Sequence, residues 1–210
     1  MENYKIKAVK KSRSGIRLTL ESVEYGDIRE IVLSEKLWES VPFGCGDVIA
    51  SAEADELERL TLTARAFETA KAVLSYSGHS RRGLVHKLCD KGFSKEIAEE
   101  AADMTVSQGL LNEEREASHK ASYYLRHKKW GKRRISAELS AKGYEKSVVQ
   151  TAVDSLDEDE IFENLVSLVE NKPVPSDRNG RQKYIASFCR MGYTTGEVIS
   201  AIKEAQSRDE

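Results

Sequence analysis

The residues best suited to chemistry form a basic run at positions 126–134, with six Lys or Arg side chains and no acid. Gly131 is placed to allow a turn between two helices, and residues 132–134 would begin the second helix. Backbone N–H groups at a helix start favour anions, so the run predicts a docking site for a polyanion or an acidic protein groove. Basic side chains there oppose the helix dipole, which favours a use outside the helix.

Trp130 lies within this run and has two interpretations. It could anchor a partner or stack on one, as exposed Trp side chains do at interfaces. It could equally be buried between two helices of the fold. Its type and position alone do not decide between them.

The charges are segregated along the chain, although the net charge is only -2. Residues 120–150 hold nine bases and two acids, a net charge of +7, whereas residues 151–170 hold seven acids and no base. The acids could also be a solvated turn that caps the next helix. Two weaker basic groups occupy corresponding helices and extend the pattern into a predicted basic stripe: Arg81, Arg82 and Lys87, then Arg178, Arg181 and Lys183.

The sequence offers no catalytic, cofactor or metal motif. His79, His86 and Cys89 could share a helix face, but no further ligand follows at metal-site spacing. Phosphate-loop, dinucleotide, nucleophile-elbow and zinc-protease patterns are also absent. Three scattered Cys, a charged N-terminus and no apolar run of about 18 residues lead us to expect a cytoplasmic protein without a membrane span.

Three segments repeat one pattern, in which an apolar residue lies eight positions before a Gly, another four before it, and an aromatic follows. The glycines are Gly92, Gly143 and Gly192, at spacings of 51 and 49 residues. We expect each Gly to end a helix in the left-handed conformation, with the aromatic folding back onto that helix. A further helix is predicted ahead of each segment, over residues 64–75, 116–128 and 161–169.

These patterns predict a mainly α fold of three tandem three-helix repeats that form an elongated array. A small N-terminal β-rich unit precedes it, because Ile6, Ala8, Ile16, Leu18 and Leu20 alternate with polar residues. The predicted boundaries are 1–54 for the β-rich unit, then 55–111, 112–157 and 158–210 for the repeats.

The best-conforming segment reads Arg134-Ile135-x-x-Glu138-Leu139-x-x-Lys142-Gly143-Tyr144, directly after the basic run. With the three repeats, this resembles the RecX family of bacterial recombination regulators. The resemblance covers about residues 55–205 well and the first fifty loosely. Two positions depart from the family pattern. Glu116 stands where an aromatic is usual, and Trp130-Gly131-Lys132 replaces a frequent Gly-x-Gly.

The resemblance implies a non-enzymatic regulator in DNA repair, DNA recombination and the SOS response. Such proteins lie in the groove of the RecA filament on single-stranded DNA and inhibit its recombinase, ATPase and coprotease activities. It implies no cofactor, and we expect a cytoplasmic monomer. The expected RecA- and DNA-binding residues are Arg81, Arg82, Lys87, Arg126, Lys128, Lys129, Trp130, Lys132, Arg133, Arg134 and Lys142.

Two alternatives stay open from the sequence. The chain could be a stand-alone helical DNA-binding module that acts without RecA. It could also be a helical protein-interaction scaffold in which the basic residues of segment 120–150 dock an acidic partner, including the chain's own residues 154–163. The filament surface bound, the sign of regulation and the role of the β-rich unit are likewise open.

Overall fold

The computed structural model describes residues 3–13 and 15–208. Within these residues, four strands and ten helices follow one another along the chain. The bounds are β1 (Asn3–Ser12), β2 (Gly15–Ser22), β3 (Ile28–Leu33), α1 (Glu35–Glu39), β4 (Val48–Ala50), α2 (Ser51–Tyr76), α3 (Arg81–Asp90), α4 (Lys95–Ser107), α5 (Glu113–Lys128), α6 (Lys132–Ala141), α7 (Lys146–Asp154), α8 (Glu158–Glu170), α9 (Arg178–Cys189) and α10 (Thr195–Arg208). The predicted mainly helical fold with a small N-terminal sheet is therefore confirmed.

The strands form one antiparallel sheet in the order β3-β2-β1-β4. Its inner face is apolar and fully buried at Ile6, Leu18 and Leu20, as the alternation predicts. Ala8 does not join that face, because an irregularity between Ile6 and Ala8 shifts the register of β1 by one residue. Val9 packs against the sheet core instead.

Each repeat glycine ends its helix as predicted, with φ of 93° at Gly92, 86° at Gly143 and 99° at Gly192. After Gly143, the Tyr144 N–H donates to the Leu139 carbonyl at 3.3 Å. The other two turns repeat this bond from Phe93 to Leu88 and from Tyr193 to Phe188. These are the hydrogen bonds of a Schellman motif.

The helices that precede the repeat segments begin earlier than predicted. Helix α2 starts at Ser51, thirteen residues before the predicted Ala64. Helix α5 starts at Glu113 because the Asn112 side chain accepts a hydrogen bond from the Arg115 N–H. Helix α8 starts at Glu158, where the Asp157 carboxylate caps the N–H groups of Asp159 and Glu160.

The chain divides into two compact units. The first is Met1–Ser75 with Val85–Gln108, and it contains the sheet. The second is Tyr76–Leu84 with Gly109–Glu210, and its continuous apolar core joins α5 to α10 through residues such as Leu125, Ile135, Leu165 and Val198. Apart from the short α1, the described chain has nine helices, α2 to α10, and their boundaries as three repeats and the elongation of the array stay predictions.

Candidate polyanion interface at the repeat junctions

The basic turn, residues 126–134, joins the end of α5 to the start of α6 in the second unit. Helix α5 ends with Lys129 in the left-handed conformation, at φ 50° and ψ 43°. Lys129 is the one described non-glycine residue with positive φ. A side chain in that conformation costs about 1–2 kcal/mol, so this turn carries local backbone strain.

Trp130 belongs to the cap of α5. Its N–H donates to the Tyr124 carbonyl at 3.3 Å, while the Lys129 N–H donates to the Leu125 carbonyl at 3.1 Å. The indole stacks on the Tyr124 ring, with centroids 4.9 Å apart, and both side chains pack against the repeat core. The Arg134 guanidinium lies 4.1 Å from the indole centroid. These contacts favour the packed interpretation of Trp130 over a free anchor.

Two glycines fix the basic turn against the third repeat. The Gly131 N–H donates to the Met191 carbonyl at 2.8 Å, and the Arg133 N–H donates to the Gly192 carbonyl at 3.3 Å. A Cβ on Gly131 would lie 2.6 Å from the Gly192 carbonyl carbon, so only glycine fits there. The Tyr193 hydroxyl also donates to the Lys129 carbonyl at 2.9 Å. The turn is therefore held through its own backbone groups, and these contacts do not use its basic side chains.

The start of α3 repeats this arrangement one repeat earlier. The Ser80 hydroxyl donates to the Lys142 carbonyl at 2.7 Å. Gly143, which follows, lies so close to Arg82 that a Cβ on it would be 3.1 Å from the Arg82 Cβ. In both junctions a basic helix start meets the glycine turn of the following repeat.

Arg82 and Arg133 hold equivalent positions in these junctions, each two residues before a buried aliphatic, Leu84 or Ile135. Both are exposed. Within the described residues, neither guanidinium forms a salt bridge or hydrogen bond, and the same holds for the exposed Lys128 ammonium. These three cations are free to meet an anion from outside the chain.

The other predicted bases of the second unit have partners inside the protein. Arg126 pairs with Glu160 at 3.2 Å, Lys132 with Glu158 at 2.5 Å and Lys142 with Glu138 at 3.4 Å. Lys129 reaches the Ser167 hydroxyl at 3.2 Å, and Arg134 donates to the Arg190 carbonyl at 3.3 Å. The Arg81 N–H donates to the Glu113 carboxylate at 2.9 Å. Lys87 is exposed on α3, but it belongs to the first unit.

The first turn of α8 therefore supplies acids to the basic turn. Glu158 and Glu160 are two of the seven acids in residues 151–170. Glu160 pairs with Arg126 and Glu158 with Lys132, and both bases belong to the predicted site. Such exposed pairs contribute little to stability, about 0–1 kcal/mol each. Their consequence is electrostatic, because any external anion at Arg126 or Lys132 must compete with an internal carboxylate.

Two tyrosines behind the junctions differ in how their hydroxyls are satisfied. Tyr144 and Tyr193 are the equivalent aromatics after Gly143 and Gly192, and both are buried. Tyr193 donates to Lys129, whereas the Tyr144 hydroxyl has no hydrogen-bond partner among the described residues. Burial raises the pKa of both, helped at Tyr144 by the charges of Glu116 and Glu113.

The departure at Glu116 has a local explanation. Its carboxylate lies directly against Gly78, where any side chain Cβ would overlap it. Glu116 and the α3 cap Glu113 therefore shape the loop before α3. The sequence did not single out this role of Glu113, although an acid opposite a helix start is its recognisable signal.

The described residues give no support for a metal or membrane site. No cluster of three His, Cys, Asp or Glu side chains in residues 3–13 and 15–208 could hold a metal ion. None of the helices described is both long and apolar enough to cross a bilayer.

Comparison with known proteins identifies the fold. A crystal structure of regulatory protein RecX superposes with a TM-score of 0.70, 18% identity and coverage of 96% of this chain and 99% of that one. The RecX structure from Lactobacillus salivarius gives a TM-score of 0.62 and 20% identity over 69% of this chain and 97% of that chain. These likenesses show that the chain has the fold of RecX proteins.

The sequence comparison also finds RecX proteins. Regulatory protein RecX of Clostridioides difficile is 32% identical over 100 residues, which are 48% of this chain and 47% of that protein. The Streptomyces coelicolor RecX is 29% identical over 148 residues, or 66% of this chain and 78% of that protein. No family model matches. The chain is thus similar to RecX proteins both in sequence and in fold. It spans about half the length of the C. difficile and Chlorobium limicola relatives, 47% and 54%.

Proposed function

We propose that this protein is a non-enzymatic regulator that binds the RecA filament on single-stranded DNA in the bacterial cytoplasm. It inhibits the recombinase, ATPase and coprotease activities of the filament. The observation that carries the proposal is the pair of equivalent cations Arg82 and Arg133. Both are exposed at glycine-locked junctions, and neither has an acidic partner among the described residues.

The physical argument begins with preorganisation. The junction backbone is fixed by Gly131, Gly192 and the Ser80 hydroxyl, so little order is lost when a partner binds. Cations presented on rigid helix starts suit the phosphates of a filament-bound strand or the acidic surface of a protein protomer. The proposed contact residues are Arg82, Lys128 and Arg133 first, followed by the bases that already have internal partners.

Purified protein, titrated into RecA on a fixed amount of single-stranded DNA, should lower ATP turnover. Arg82→Glu/Arg133→Glu should weaken that inhibition at least about tenfold, because two cations become anions at the contact. This pair is preferable to Arg134, since Arg134 packs on Trp130 and its loss would disturb the cap. Lys36→Glu/Lys95→Glu is the charge-matched control in the first unit.

The same preparations separate the alternatives. A mobility shift on single-stranded DNA without RecA, steeply dependent on salt and with no effect on RecA, would indicate a stand-alone DNA-binding module instead. Failure to bind DNA or RecA would indicate a scaffold. Native mass of the purified chain tests the expected monomer.

A further inference from the structure

Four rings at the end of α5 form a continuous contact series, the ring cluster of Tyr123, Tyr124, His127 and Trp130. Ring centroids are 4.7 Å apart for Tyr123 and His127, 5.8 Å for Tyr123 and Tyr124, and 4.9 Å for Tyr124 and Trp130. The Arg134 guanidinium continues the series at the indole. The cluster thus runs from the core through the basic turn to solvent.

The two solvent-exposed members of the cluster are Tyr123 and His127. Tyr123 is 50% exposed and His127 is exposed, whereas Tyr124 and Trp130 pack against the core. The Tyr123 hydroxyl makes no hydrogen bond among the described residues. An aromatic ring held by neighbouring rings, open on one side, loses little freedom when a flat group stacks on it.

The charges around these rings indicate which kind of ligand would stack on them. Arg126 and Lys128 flank His127 in the chain, and Lys128 has no partner among the described residues. A stacking surface beside an unpaired cation matches a single nucleic-acid strand, whose bases stack while its phosphates meet the cations. A duplex hides its base faces, and an acidic peptide offers charge without a flat ring in every residue.

We propose that Tyr123 and His127 form a stacking platform for the unpaired bases of single-stranded DNA, next to the basic turn that contacts its backbone. This inference rests on the proposed function and adds a base contact to it. Binding through the platform is tolerant of sequence, because every base has a flat face.

The test compares two fluorescent oligomers of equal length and charge, oligo-dT and a fully abasic strand, with RecA absent. Wild-type protein should bind oligo-dT at least about fivefold more tightly, since one stacked base contributes about 5- to 150-fold. Tyr123→Ala should reduce the oligo-dT affinity most of the way to the abasic value, because only His127 of the platform remains, and it should leave abasic binding unchanged. Tyr123→Phe should restore the preference, which a misfolded protein would not do.

Two control variants sharpen the result. Tyr25→Ala removes another exposed tyrosine, 72% exposed in the first unit, and should change neither affinity. Arg133→Glu should weaken binding to both oligomers by the same factor. Equal binding of the two oligomers by wild type, an equal loss on both from Tyr123→Ala, or no binding to either would each overturn the platform.

These outcomes are distinct from failure of the proposed function. Inhibition of RecA ATP turnover together with base-independent DNA binding would leave the regulator and remove the platform. Base-dependent binding of oligo-dT with no effect on RecA would support the stacking platform and contradict the proposed regulation of RecA.

Discussion

At the scale of single residues, the buried tyrosine pair offers a comparison of one substitution at two equivalent sites. Tyr144→Phe should raise the free energy of unfolding by about 1 kcal/mol, because the removed hydroxyl is buried without a partner. Tyr193→Phe should lower it by about 1 kcal/mol, since the Lys129 carbonyl loses its donor. Urea unfolding of both variants measures the two changes in the free energy of unfolding. Changes of the same sign and size would contradict the hydrogen-bond assignment.

The strained Lys129 gives a second residue-scale prediction. Lys129→Gly should stabilise the protein by up to about 1 kcal/mol, because glycine adopts φ 50° without a Cβ penalty. Lys128→Gly is the matched control in regular helix, and it should destabilise by up to about 1 kcal/mol. Denaturant midpoints compare them, and a loss from both variants would show that the Lys129 side chain contact with Ser167 outweighs the strain.

At the scale of elements, the junction of α6 with the α9–α10 turn depends on Gly131 and Gly192, whose backbones lie against each other. Gly131→Ala should cost about 1–3 kcal/mol, because its Cβ would meet the backbone of Gly192 at 2.6 Å. Gly196→Ala, in the first turn of α10, would place its Cβ more than 4 Å from every atom outside its chain neighbours and its own helix backbone, and should be neutral or slightly stabilising. Thermal unfolding distinguishes them, and equal midpoints would contradict the close packing at this junction.

The acids of α8 give an electrostatic prediction at the same scale. Glu158→Gln/Glu160→Gln should tighten binding to single-stranded DNA and to the filament several-fold, because Arg126 and Lys132 lose their internal carboxylates. Glu163→Gln removes an acid from the same helix, but its partner is Arg208, so it should have a smaller effect. Anisotropy titrations at two salt concentrations measure both, and equal gains would indicate a general charge effect.

The elements themselves were largely predictable. Three Gly-aromatic pairs at near-equal spacing predicted the Schellman turns, because glycine at a helix end and an apolar residue after it have one common structural cause. The helix starts were predicted less well. Asn112 and Asp157 set them through side-chain caps. The capping by acids before α8 was predicted, whereas Asn112 is a single residue without periodicity and was not. The register shift at Ala8 likewise leaves no signal in an alternating pattern.

The sequence predicted which basic residues form the candidate site, but not which of them form ion pairs within the protein. The sequence located the basic run, but it did not tell which bases are neutralised by Glu158 and Glu160 or which stay unpartnered. Those pairings arise from the packing of α8 beside α5 and α6, a tertiary fact. Tyr123 was not predicted either, although its ring neighbours Tyr124 and His127 adjoin it in the chain.

At the scale of the whole molecule, the similarity to RecX proteins and the repeated junctions support a single account. The basic starts of α3 and α6 are each locked onto the glycine turn of the next repeat, so these two helices present cations from equivalent positions. Arg82 and Arg133 are the clearest members because they are exposed and form no ion pair in the described chain. Regulation of RecA is the function proposed from this arrangement.

The most direct measurement is a titration of RecA ATP turnover on single-stranded DNA with wild type, Arg82→Glu/Arg133→Glu and the control Lys36→Glu/Lys95→Glu. The account predicts inhibition by wild type and by the control, and inhibition weakened at least about tenfold by the arginine pair. Turnover unchanged by wild type would contradict the proposed function. Full inhibition by the folded arginine variant would contradict the assigned interface.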